Sequence, residues 1–325
     1  MKLVRRAFLR LTAGAAIAPH VLRGAAAQTY PSRPVHIVVG FPPGGAADIV
    51  ARVIAQWMSE RLGQPFVIEN RPGAGTNVAT ETVLKATPDG HTLLFATVSN
   101  AINTSLYDKL NFDFVRDSAP VATVDRLTYV LVANPSVPFK TIPGLIAYAK
   151  ANPGKLNIAA AAIGSGTHLS GDLFKAMAGV DLVNVPYTGS SLAFADLFSG
   201  QVQIMFDALT SSVEHIATGK LLALGVTTSK RSERLPDVPT IGETIPGYEA
   251  SGWLGIVAPR NTPIEIIDKL NKEINVALAD PKIKTRLFEL GGEPLELSAA
   301  DFGRLITAET DKWSKVIRGA NIKPN

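Results

Sequence analysis

The chain is predicted to be an α/β protein of two lobes, each a mostly parallel sheet flanked by helices, with a small-molecule cleft between them. Three observations predict this. Strand and helix signals alternate along the chain in two series. Glycine-rich loops follow strands and open helices. A length of 325 residues is enough for more than one compact unit.

The first series begins with a β-branched strand at residues 35–39. Gly44-Gly45 punctuates it, and residues 46–62 have helical periodicity, with Ile49, Val53, Trp57 and Leu62 near one face. A strand at 66–69, a loop at 70–76, a helix at 78–86 stopped by Pro88-Asp89-Gly90, and a strand at 92–97 follow. This β-α-β-α-β order predicts parallel pairing with covering helices. The second series places strands at 129–133, 157–162, 182–185, 204–206 and 222–227, with helices at 142–151, 167–178, 192–199 and 212–218 between them. A strand at 253–258 and helices at 264–278 and 301–318 close the chain. The expected division is 28–127 with 248–325 for a discontinuous first lobe, and 128–247 for the second. Ligands of such sheets bind at the carboxyl ends of strands, and a cleft between lobes is a common site.

Composition narrows the class. Apolar residues make up 46% of the chain and charged residues 18%, which is globular composition. The basic pI belongs to the first 27 residues, which carry Lys2, Arg5, Arg6, Arg10 and Arg23 and no acid. The remainder holds 27 basic and 28 acidic residues, a formal charge of −1. A near-neutral surface gives no electrostatic case for nucleic acid. Residues 1–27 have the order of an export signal: a basic start, a modest apolar stretch, and Ala25-Ala26-Ala27 before Gln28 as the cleavage site. Arg5-Arg6-Ala7-Phe8-Leu9-Arg10 resembles the twin-arginine signal, and the alternative is an ordinary secretory signal. The chain is thus expected in the periplasm. No stretch is long and apolar enough for a transmembrane helix. The absence of cysteine excludes disulfides and thiolate chemistry.

The strongest local signal is Phe41-Pro42-Pro43-Gly44-Gly45-Ala46-Ala47-Asp48, between a strand and a helix. Glycine lets the backbone approach a ligand, and the helix start offers unpaired N–H groups, so the segment can seat an anion without a basic side chain. The competing reading is a plain turn with Asp48 favourable in the first helical turn. It is neither a P-loop nor a dinucleotide fingerprint. Gly164-Ser165-Gly166-Thr167-His168 and Tyr187-Thr188-Gly189-Ser190-Ser191 have the same construction, and N-capping by Ser and Thr is compatible with ligand binding there. His168 alone reads as structural.

Catalytic readings have little to stand on. No Gly-x-Ser-x-Gly elbow is present, and the histidines show no metal-ligand spacing. Asp196 and Asp207 read as surface or capping acids more readily than as a catalytic pair. Trp57 and the phenylalanines read as core. No enzyme activity, cofactor or metal is expected.

These segments, in order, resemble the substrate-binding proteins of tripartite tricarboxylate transporters, the Bug-type periplasmic receptors. The resemblance rests on Phe41-Pro42-Pro43-Gly44-Gly45 with Asp48, Asn70-Arg71-Pro72-Gly73-Ala74-Gly75, Gly90-His91-Thr92-Leu93-Leu94 and Gly164-Ser165-Gly166-Thr167-His168-Leu169. It continues in Val185-Pro186-Tyr187-Thr188-Gly189, Leu235-Pro236-Asp237-Val238-Pro239-Thr240 and Trp253-Leu254-Gly255. It implies a type II periplasmic-binding-protein-like fold that closes by a hinge on a small carboxylate, a monomer served by a separate two-subunit membrane permease. The first-lobe binding residues it implies are Phe41, Pro43, Gly44, Gly45, Asp48, Asn77 and Ser99. The second-lobe residues are Ser165, Gly166, Thr167, Tyr187, Thr188, Gly189 and Asp207. The family often has Tyr-Lys-Gly where this chain has Tyr187-Thr188-Gly189. Loss of that lysine points to a monocarboxylate, or an aromatic acid with a neutral far end, over a dicarboxylate. Two alternatives remain at this level: a sensor of the same fold that reports to a membrane signalling protein, and a secreted hydrolase.

Overall fold

The computed structural model describes residues 30–319 and 322. The expected export signal and its cleavage site lie outside the described residues. Ten strands form one continuous, curled mixed sheet, and its backbone is the order β2-β1-β3-β9-β4-β7-β5-β6. The first part contains β1 (Val35–Val39), β2 (Phe66–Asn70), β3 (Thr92–Thr97) and β9 (Ser251–Pro259). The second contains β5 (Asn157–Ala161), β6 (Val183–Tyr187), β7 (Ile204–Ala208) and β8 (Leu222–Val226). The parallel nuclei expected from the alternating pattern are present, as β2-β1-β3 and β6-β5-β7. Antiparallel strands complete each: β9 against β3, and β4 against β7, β8, β9 and the short β10 (Gly292–Pro294).

Strand β4 (Ser118–Ala133) joins the two parts. Its 16 residues are almost all buried. Ser118 to Thr128 pair with β9, whereas Tyr129 to Ala133 pair with β7 and most of them also with β8. Register shifts at Pro120/Ala122 and Thr123/Asp125 mark irregularities that bend a strand and increase its twist. One strand thus serves two sheets.

Alternation along the strands builds a core on each face. Val35, Ile37 and Val39 enter one cluster and Val38 the opposite one, because successive side chains point to opposite faces. In the second part Leu131 and Ala133 face one cluster, and Val130 and Val132 the other. Burial on both faces is what strands covered by helices require.

Helices α1 (Ala46–Leu62), α2 (Asn77–Leu84), α3 (Val98–Leu106) and α4 (Phe114–Asp117) follow in the first part. The buried face of α1 is Ala47, Val50, Ala51, Ile54, Ala55 and Met58. It is rotated from the expected Ile49/Val53/Trp57 stripe, since small residues at 47, 51 and 55 let the helix lie close on the sheet. The second part holds α5 (Ile142–Ala151), α6 (Gly166–Ala178), α7 (Ser190–Ser199) and α8 (Leu209–Ala217). Helices α9 (Ile264–Ala279), α10 (Pro281–Glu289) and α11 (Ala299–Gly319) end the described chain. No described helix is long and apolar enough to cross a membrane.

Candidate functional site

Five helix N-termini open onto one cavity between the two parts of the sheet: α1, α3, α6, α7 and α8, the last through its N-cap Ala208. Its volume is about 60 Å³. A buried water occupies about 10–15 Å³ on this scale, so the space holds a few water-sized groups.

The N-termini differ in how their N–H groups are used. Helix α3 is satisfied internally. Thr97 Oγ1 accepts from Ser99 N at 3.1 Å, and Thr97 N donates to Asn100 Oδ1 at 2.7 Å. Helix α6 is capped by Ser165, whose Oγ accepts from His168 N at 3.0 Å and donates to the Ala161 carbonyl at 2.5 Å. Helices α1 and α7 have glycine N-caps, Gly45 and Gly189, and no side-chain cap. Their first amides are therefore free to bind something else, at the positive ends of two helix dipoles. Gly45, Ala46 and Ala47 line the cavity from α1, and Gly189, Ser190 and Ser191 from α7.

Asp48 explains the shape of the Pro42–Gly45 loop. Its Oδ2 accepts from Gly44 N at 2.9 Å and Arg52 Nε at 3.0 Å. Its Oδ1 accepts from Arg52 Nη2 at 2.8 Å and Asn70 Nδ2 at 2.9 Å. Burial alone would raise its pKa, but the hydrogen bonds from Arg52, Gly44 and Asn70 outweigh burial and hold it below the ordinary carboxylate range. Gly44 adopts φ +84°, a conformation glycine takes without strain. Its N–H is consumed by Asp48, so the loop presents the Gly45–Ala47 amides and withholds the Gly44 amide.

Among the described residues no lysine, arginine or histidine lines the cavity, and its titratable side chains are Asp207 and Tyr129. Asp207, at the end of β7, is fully buried. Its Oδ2 accepts from Ser211 Oγ at 2.7 Å and Ser212 Oγ at 2.6 Å, while Oδ1 has no hydrogen-bond partner. Burial pushes its pKa up, against the opposing pull of Ser190, Ser212, Ser211 and the Ala208 amide. The Ser190 hydroxyl lies close enough to favour the anion without making a hydrogen bond of good geometry. Tyr129 comes from β4, and its hydroxyl fills the space beside Gly166 and Gly252. A Cβ at either glycine would lie 2.2 or 2.1 Å from Tyr129 Oη.

Of the residues expected from sequence, Phe41, Gly45, Ser99, Ser165, Gly166, Thr167, Gly189 and Asp207 line this cavity. Pro43 and Gly44 are exposed and Asp48 lies behind the loop, so none of the three lines it. Asn77 is turned to Asn103, accepting from its Nδ2 at 3.1 Å. Tyr187 and Thr188 line a second cavity of about 330 Å³, whose wall also includes Gly40, Gly75, Tyr107 and Ala162. Among the described residues no charged side chain lines that second cavity. The two cavities are lined by consecutive residues at three places: Gly40/Phe41, Ala161/Ala162 and Thr188/Gly189. Sequence reasoning missed Tyr129, Leu127 and Leu254, which strands bring in from a distance and no local motif marks. It also missed Thr97, although its capping box with Asn100 was a readable signal. His168 is buried, and its Nδ1 accepts from Gly164 N at 3.3 Å. Burial lowers its pKa, so it is a neutral structural group, as expected.

Comparison with known proteins places the chain in a family. A family profile described as tripartite tricarboxylate transporter family receptor matches residues 50–322. Protein BugT of Bordetella pertussis is 37% identical over 302 residues, covering 91% of this chain and 93% of its own. The solved structure of R. palustris Rpa4515 with adipate is 38% identical with a TM-score of 0.89, covering 91% of this chain and all of that one. MatC from Rhodopseudomonas palustris with bound malate is 35% identical with a TM-score of 0.84, covering 89% and 100%. The fold is that of these binding proteins, and the chain belongs to the tripartite tricarboxylate transporter receptor family.

Proposed function

We propose that this chain is a periplasmic receptor that traps a small carboxylate between two lobes and delivers it, as a monomer, to a two-subunit membrane permease. The carrying observation is the pair of glycine-capped helices, α1 and α7, whose free amides open onto one cavity that no cationic side chain lines. Amides and helix dipoles are sufficient to hold a carboxylate. Residues 28–127 with 248–325 and residues 128–247 form the two lobes, and β4 is the hinge. The chain reaches the periplasm through its twin-arginine leader. The carboxylate sits on the Gly45–Ala47 amides, with Phe41, Ser99, Ser165, Gly166, Thr167, Gly189 and Asp207 around it. Binding shifts the open and closed populations, because the closed state alone offers both amide sets.

The neighbouring cavity receives the far end of the ligand. Its wall is uncharged, with Thr188 where a lysine is common in the family, and this favours a ligand whose far end is neutral. A thermal-shift series with benzoate, hexanoate, succinate, malate and adipate tests both statements. A ligand at 100 times its Kd stabilises by about 2.7 kcal/mol, or roughly 5 °C or more in a protein of this size. Hexanoate or benzoate should give the larger shifts. No shift with any carboxylate overturns the carboxylate reading, and a far larger shift with the dicarboxylates overturns the neutral far end.

A further inference from the structure

Asp207 poses a problem for any anion receptor. It is fully buried, it is among the residues that line the cavity, and one of its oxygens has no partner among the described residues. A carboxylate ligand in the same 60 Å³ would place two anions within contact range, with no cation among the lining residues. Repulsion between two such charges about 4 Å apart weakens binding on the order of a thousandfold even in a moderately polarisable interior. One of the two must therefore carry a proton. We infer that Asp207 binds as the neutral acid, its Oδ1–H donating a hydrogen bond to the ligand carboxylate, so that affinity depends on a proton held at this residue.

The geometry assigns the proton to Oδ1. Oδ2 already accepts from both Ser211 and Ser212, the pattern of a carbonyl oxygen, and this leaves Oδ1 as the hydroxyl oxygen. An O–H directed at an anionic oxygen is a short, strong, charge-assisted hydrogen bond, and it adds to the α1 and α7 amides. Burial favours the same protonation state, outweighing the three serines and the Ala208 amide. The titratable groups that act on Asp207 are Tyr129 from β4 and His215 from α8. The Tyr129 pKa is raised, chiefly by burial, so it is neutral. The His215 pKa is lowered, first by burial and then by Lys220, so it too supplies no cation at neutral pH. The proton comes from solvent and stays on Asp207, and no bond in the ligand changes.

This inference rests on the carboxylate reading, and its test separates the two. Infrared difference spectra of wild type against Asp207→Asn at pH 7, without ligand, should show the C=O stretch of one protonated carboxylic acid lost in the variant. Calorimetry with hexanoate should then show wild-type affinity falling as pH rises through the range in which the infrared band is lost, by about tenfold per unit above its midpoint. In Asp207→Asn the affinities across that range should agree within about twofold, since the titrating group is gone. Absence of the infrared band overturns the inference, and so does a wild-type pH dependence no steeper than that of the variant. If hexanoate gives no heat in either protein while the band is present, the carboxylate reading has failed and the protonated Asp207 stands. Should Asp207→Asn not fold, the carboxylic-acid band that remains in Asp125→Asn, which lacks the other buried acid whose pKa burial raises, and the hexanoate affinity of that variant must titrate with one midpoint. Different midpoints overturn the inference.

Discussion

Gly44 and Gly45 are neighbours with different duties. Gly44 needs its left-handed backbone at φ +84° and spends its N–H on Asp48. Gly45 has an ordinary φ of −84°, and a Cβ there would meet no atom closer than the Pro42 carbonyl oxygen at 3.8 Å. A side chain at 45 is therefore tolerated by the protein itself and intrudes only on a bound group. Gly45→Val should fold, losing about 1 kcal/mol for a poorer N-cap. It should lose the thermal shift produced by hexanoate. Unchanged hexanoate binding in the folded variant would refute the amide seat. This residue scale is also where sequence reading was most and least successful. Gly45, Gly166 and Gly189 were legible because glycine after a strand and before a helix has few other uses. Asp48 is placed at the ligand by the family resemblance alone. Its actual partners, Gly44 N, Arg52 and Asn70, depend on how the loop folds back, and spacing does not encode that.

At the scale of elements, the site is the meeting of helix starts, and its closure depends on loops touching across the cavity. Pro42 after β1 and Gly189 before α7 are in direct contact, since a Cβ on Gly189 would lie 2.7 Å from Pro42 Cδ. Gly189 has φ −177°, extended backbone open to any residue, so alanine there costs nothing locally. What it meets is a rigid proline ring. Overpacking of this kind costs about 1–3 kcal/mol, and the cost falls on the form in which the loops touch. Gly189→Ala should weaken hexanoate binding at least about tenfold while moving the Tm of the free protein by less than about 3 °C. Equal affinity for hexanoate in calorimetry would show that this contact is not part of closure. The elements missed from sequence have a common cause. Helix α3 packs an apolar stripe of Val98, Ala101, Ile102 and Leu106 into the core, but the interleaved polar Ser99, Asn100 and Asn103 obscure it in the sequence and are buried as well. Its Asn100 donates to Thr80 Oγ1 at 2.7 Å, a tertiary use of polarity that a hydrophobic pattern does not reveal. The first half of β4 was missed because Pro120, Asp125 and Arg126 interrupt its apolar run.

Asp125 matters to the whole molecule because it lies on the strand that both parts of the sheet share. It is fully buried, with both carboxyl oxygens lacking a hydrogen-bond partner. Gly292 on β10 packs against it so closely that a Cβ there would fall 2.1 Å from Asp125 Oδ2. Burial raises its pKa to about 8, and the charge of Glu293 adds to this, while the nearby Glu293 and Arg126 amides pull the other way without forming good hydrogen bonds. In the unfolded chain the same group ionises near its ordinary value of about 3.9. Between those values the folded protein holds a proton that the unfolded chain has released. Stability from this group is thus complete below about pH 4, falls as pH rises toward 8, and is level above. The loss amounts to at most about 6 kcal/mol. Asp125→Asn removes the titration and keeps the shape. Its Tm should exceed that of wild type at pH 8.5 by several degrees, and the difference should shrink or reverse at pH 5. Scanning calorimetry at the two pH values decides it, and a Tm difference that stays constant would mean that Asp125 is already ionised in the folded strand. Neutral Asp125 also accounts for a buried acid on β4 that no cation accompanies. As the uncharged acid it lets the strand run through the core, where a carboxylate would draw water into the one segment that both sheets depend on.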